Sequence, residues 1–161
     1  MLFSKTLIVA ALVMGAVHSQ GVSASATNFG VGCGATPLTL DTVVGVKPIL
    51  GAAQFVDIKS IPFGLAFMAY GGSNTFVGGT PLPLNLSNYG MPGCFLYHDL
   101  LDFALPMVPV AFGQARYKFD LPYSSAFLGT HVFLQAWALQ PGVNAAGMIG
   151  SNGMDLSLGN Q

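Results

Sequence analysis

Apolar and polar positions alternate most clearly over residues 115–121, where Arg116, Lys118 and Asp120 interleave with Tyr117, Phe119 and Leu121. A period of two puts the first set on a wet face and the second in a core, which predicts a half-buried strand. Further runs of strand length lie at 38–41, 55–58, 64–70, 82–86, 95–100, 103–110, 130–139 and 154–158. Turn-forming clusters separate them, among them Gly71-Gly72-Ser73-Asn74, Gly78-Gly79, Asn88-Tyr89-Gly90, Pro92-Gly93, Pro141-Gly142 and Ser151-Asn152-Gly153. The last of these reads as a tight turn into the final strand. No long stretch after residue 26 keeps helical periodicity free of Gly and Pro. The expected fold is all-β, an antiparallel two-sheet β-sandwich of Greek-key or jelly-roll type.

Two of the runs break the wet-and-dry pattern. Residues 64–70 and 131–139 are apolar on both faces; the second carries Val132, Leu134, Ala136 and Ala138 on one side and Phe133, Trp137 and Leu139 on the other. A strand of that kind either lies beneath a long loop or presents an apolar face to another molecule.

The chain opens with Lys5, an unbroken apolar run over 7–17 and then small residues, the order of a secretory leader. That run is about half of the roughly 20 residues that a spanning helix needs, so no membrane contact is expected once the leader is removed. Cleavage is expected after the Ala24-Ser25-Ala26 triplet, with a cut after Ser19 as the alternative. Residues 1–26 are then signal peptide and 27–161 one domain, secreted, extracellular or at the cell surface. Cys33 and Cys94 are the chain's two cysteines. In an oxidising compartment they are expected to pair, closing a loop of about 60 residues at roughly 4 kcal/mol of stabilisation.

Charge sharpens the picture. Hydrophobic residues make up 52% of the chain and charged residues only 7%. Lys47, Lys59, Arg116 and Lys118 are too few and too scattered to form the basic face that nucleic acid requires, so that partner is excluded. With little repulsion and few lysines to guard strand edges, association with a second copy or another extracellular protein is expected through sheet faces or edges. Residues 27–31 serve in that expectation as a donated strand. The functional expectation is a non-enzymatic extracellular structural or interaction module; the alternative is a β-sandwich module that binds carbohydrate or another ligand.

Candidate chemistry is sparse. His98 and His131 are the histidines beyond the leader; His98 precedes Asp99 and lies close to Asp102. No Gly-x-Ser-x-Gly elbow accompanies them, and neighbours along a strand point to opposite faces, so no catalytic residue is assigned. Asp99 and Asp102 are the calcium candidates, with Asp57 or Asp155 folding in. The chain has no Glu and no Asp-x-Asp-x-Asp loop, so a solvated loop is the favoured reading and no cofactor is expected. A glycan surface would use Trp137 and Gln135 on one strand face with Tyr97. The neighbours Phe133 and Leu139 make core packing the stronger reading of Trp137.

Several stretches carry a family likeness in their order and spacing. They are Gly32-Cys33-Gly34, Pro81-Leu82-Pro83-Leu84-Asn85-Leu86, Gly90-Met91-Pro92-Gly93-Cys94, Leu128-Gly129-Thr130, Gln135-Ala136-Trp137 and Ser151-Asn152-Gly153-Met154-Asp155-Leu156. Taken together they resemble a family of small secreted bacterial domains, largely uncharacterised, found alone or at the C-terminal end of larger extracellular proteins. The resemblance implies an extracellular β-sandwich with a disulfide between the two motif cysteines. It implies no activity.

Overall fold

The computed structural model describes residues 21–104 and 108–161, with the backbone alone at 102–104, 108 and 110. The leader up to Gln20 lies outside the described residues. In chain order the strands begin β1 (Ser25–Phe29), β2 (Thr39–Thr42), β3 (Ala53–Lys59) and β4 (Ala66–Gly71). Short pieces follow: β5 (Phe76–Val77), β6 (Thr80–Pro81), β7 (Leu84–Asn85) and β8 (Phe95–Leu96). Then come β9 (Asp102–Ala104), β10 (Val108–Ala111), β11 (Gln114–Asp120), β12 (His131–Leu139) and β13 (Met148–Ser157). The fold is all-β, as expected.

Two antiparallel sheets hold the core between them. One runs in the order β1-β13-β12-β4-β9, the other β10-β11-β3-β2. The chain crosses between them repeatedly, from β1 to β2, β3 to β4, β9 to β10 and β11 to β12. Leu40, Val56, Ile58 and Ala115 come from the second sheet, and Met68, Leu134, Ala136, Met154 and Leu156 from the first, into one buried cluster. The alternation that marked residues 115–121 is realised in β11. Ala115 and Leu121 are buried, Tyr117 and Phe119 pack partly buried against the core, and Lys118 and Asp120 are exposed. On the outer face Arg116 grips Asp57, its cross-strand partner, through both carboxylate oxygens at 2.6 and 2.8 Å.

The expected disulfide is present, Cys33 to Cys94 with a Cα–Cα distance of 5.1 Å. It ties the segment after β1 to the segment before β8, and both lie over the outer face of the five-stranded sheet. That covering explains why β12 is apolar on both sides: it runs beneath a long connection, the first of the two alternatives.

Three readings are corrected. Ser151-Asn152-Gly153 is no turn but the middle of β13, which runs unbroken from Met148. Glycine inside a strand ordinarily signals weakness, but here it makes room for rings. A Cβ on Gly150 would sit 2.8 Å from the Trp137 indole, and one on Gly153 would sit 2.5 Å from the Phe29 ring. The single run 103–110 is divided between β9 and β10, which belong to different sheets. Finally, residues 27–29 are not free to be donated, because β1 pairs with β13 of its own chain, from Ser25 opposite Ser157 to Phe29 opposite Gly153.

Candidate functional site

The residues assigned to ligand binding are built into the scaffold. Gln135 is wholly buried, and Trp137 and Tyr97 are nearly so. Gln135 Oε1 accepts from Tyr97 N–H at 3.1 Å, and its Nε2 donates to the carbonyls of Phe95 (2.8 Å) and Ser151 (2.9 Å). One amide thus joins the covering segment around β8 to the sheet below, satisfying main-chain groups that no ladder reaches. Trp137 lies against Gly150. Tyr97 clamps the N-terminal segment, its hydroxyl donating to Val31 O and accepting from Val31 N–H, each at 2.9 Å. None of the three presents a surface to a sugar, which corrects the glycan assignment: a strand covered on both faces has no outer platform.

The polar cluster at 98–102 is likewise committed. His98 is fully buried and its Nδ1–H donates to the Asp99 carbonyl. Burial pushes its pKa below the usual histidine value, which favours the neutral ring. The Asp99 carboxylate accepts from Ser73 N–H at 2.8 Å, and the Asp102 side chain lies outside what is described. Asp57 is taken up by Arg116, and Asp155 by His131 Nδ1 at 2.7 Å. Among the described residues no three His, Cys or Asp side chains gather as metal ligands.

What the fold does open is a cleft between the sheets. Tyr117 and Phe119 of β11, with Leu121 just beyond it, form one wall; Tyr70 near the end of β4, with Val132 and Leu134 of β12, forms the other. Phe127 and Pro122 close one side, and Asp120, Thr130 and His131 border it. The cleft is open to solvent on one side and has a volume of about 600 Å³. The Tyr117 and Phe119 rings stack at 5.7 Å with their planes 28° apart, giving a continuous aromatic wall. Both point inward yet stay half-buried, because Gly72 and Val132 on the facing side fill little of the gap. At the opposite end of β11 the β3–β4 and β10–β11 connections meet, joined by Ile61 N–H to Gly113 O at 2.9 Å. There Phe112 is fully exposed and Phe63 is 66% exposed.

Sequence reasoning marked Tyr117 and Phe119 as inward-facing but gave no sign that they border a cavity. Val132 was missed as a site residue for the same reason. Comparison of the chain with family models, with curated proteins and with solved structures found no match.

Proposed function

We propose that this chain is an exported, non-enzymatic binding module whose inter-sheet cleft takes a small molecule with an apolar or aromatic body. The observation that carries the reading is the stacked Tyr117–Phe119 wall, inward-facing but half-buried, around a volume of about 600 Å³. Small-molecule sites span about 300–1,000 Å³ and are lined mainly by apolar and aromatic side chains with a few polar groups. A carbohydrate fits less well, since the amide and indole that would have recognised it are inside the fold. Export is supported by the leader pattern and by a disulfide compatible with an oxidising compartment. No described helix is long and apolar enough to cross a membrane. The likeness to small secreted bacterial domains agrees with this setting.

The test is titration with 1-anilinonaphthalene-8-sulfonate, an apolar aromatic probe of suitable size. Fluorescence should rise and saturate at one site per chain. Val132→Trp, which fills the cleft from the β12 side, should weaken binding at least tenfold while near-UV circular dichroism stays native. Unsaturable binding, or equal binding by the variant, overturns the reading.

Association remains a second reading, favoured by Phe112 and Phe63 exposed on two connections that are hydrogen-bonded together. Sedimentation of wild type and Phe112→Asp tests it: a concentration-dependent oligomer lost in the variant supports association, and a monomer throughout removes it.

A further inference from the structure

Residues 21–29 are integral to the sheet. Val22 N–H donates to Asn160 Oδ1 at 2.8 Å, and the Val22 carbonyl accepts from Asn160 N–H at 2.9 Å. Ala24 N–H donates to the Gln161 carbonyl at 2.8 Å, and Gln161 Nε2 donates to Gly21 O at 3.0 Å. Ala24 is only 3% exposed. The fit extends to the other partner, since a Cβ on Gly159 would stand 2.4 Å from both Ala24 N and Val22 O. Glycine at 159 is what lets this N-terminal stretch lie against the C-terminal one. A cut after Ala26 would remove the first two rungs of the β1–β13 ladder, Ser25 to Ser157 and Ala26 to Leu156, together with every contact of Gly21, Val22 and Ala24.

Resting on the export reading, we propose that the leader is cut between Ser19 and Gln20, so that Gly21–Ala26 stay in the mature protein as part of the edge strand and its lead-in. Ser19 at the bond is small and Val17 two residues before it is short and uncharged, and these are the two positions that a signal peptidase inspects. The step is hydrolysis: water adds to the Ser19 carbonyl, the Ser19–Gln20 amide breaks, the leader departs with a new carboxylate and Gln20 takes a free α-amine. That amine sits on a glutamine, whose side-chain amide it can attack with loss of ammonia to close a ring.

The full chain is expressed with its own leader in a secreting bacterial host, and the exported form is analysed by intact mass and N-terminal peptide sequencing. A start at Gln20, open or cyclised by loss of ammonia, supports the proposal. A start at Thr27 overturns it and leaves export standing; a chain still beginning at Met1 overturns both. As a second readout, Ser19→Tyr should make the uncut precursor accumulate, while Ala26→Tyr should leave the cut position unchanged whatever it does to folding. Normal processing of Ser19→Tyr, or a block by Ala26→Tyr, overturns the proposal.

Discussion

Replacing Gln135 by leucine separates the scaffold role from a ligand role. Leucine keeps nearly the same volume, so no cavity opens, but Tyr97 N–H, Phe95 O and Ser151 O lose their partner inside the protein. Each buried main-chain group left unpaired costs about 1–3 kcal/mol. The greater apolarity of leucine, and movement of the covering segment, offset part of the sum, leaving a net loss of about 2–5 kcal/mol. For a domain of this size that corresponds to a fall in Tm of roughly 8–20 °C. Thermal and urea unfolding followed by circular dichroism measure it. Gln135→Glu adds a sign test. The carboxylate retains an acceptor for Tyr97 but faces two carbonyls, so its deficit should shrink as the pH falls from about 7 to about 4 and the acid gains a proton to donate. A Tm within about 3 °C of wild type for the leucine variant, or a pH-independent deficit for the glutamate variant, would refute the bridging role.

Replacing Cys33 and Cys94 together by serine opens a loop of sequence separation 61. Stability should fall by about 4 kcal/mol in the chain-entropy account, measured by urea unfolding; a loss under about 1 kcal/mol contradicts it. His98 makes stability pH-dependent. Its folded pKa lies below the unfolded value of 6.5, so the unfolded chain binds the proton more readily. Stability is therefore complete above that value and declines as pH falls towards the folded pKa, at up to about 1.4 kcal/mol per pH unit. His98→Gln should flatten that slope, and an unchanged slope assigns it to other groups.

How far the residues alone disclose the fold depends on whether a signal is local. The alternation of β11 is local, and it placed Tyr117, Phe119 and Leu121 inward. The disulfide needed only two cysteines and an oxidising compartment. Ser151-Asn152-Gly153 misled because its composition is that of a turn, while its strand conformation is held by distant partners. The Asn152 amide bonds both Leu40 N–H and Leu40 O, at 2.8 and 3.0 Å, and so joins β13 to β2 of the other sheet. Strand β1 was hidden for another reason: small alternating residues suit a peptidase and an edge strand equally well. The contact of the Ala24-Ser25-Ala26 stretch with Gly159 and Gln161 joins residues more than 130 positions apart, and nothing local in the chain announces it.

The cleft was illegible because it is a property of two facing walls and not of either alone. Inward aromatics at 117 and 119 predict a filled core wherever the opposite strand supplies bulk. Here Gly72 follows β4 and β12 begins its inward face with Val132, while packed sheets stand about 10 Å apart. Side chains that small cannot span the gap, and the sheets cannot close it locally, since β12 is bound on both sides by the ladders to β13 and β4. The void is therefore fixed by backbone that the rest of the core holds in place. A bulky residue at 132 should be accommodated without the strain that overpacking brings to a filled core. Retention or gain of stability in Val132→Trp, read from its Tm, is the expected consequence; a loss above about 2 kcal/mol would mean that the two walls already meet.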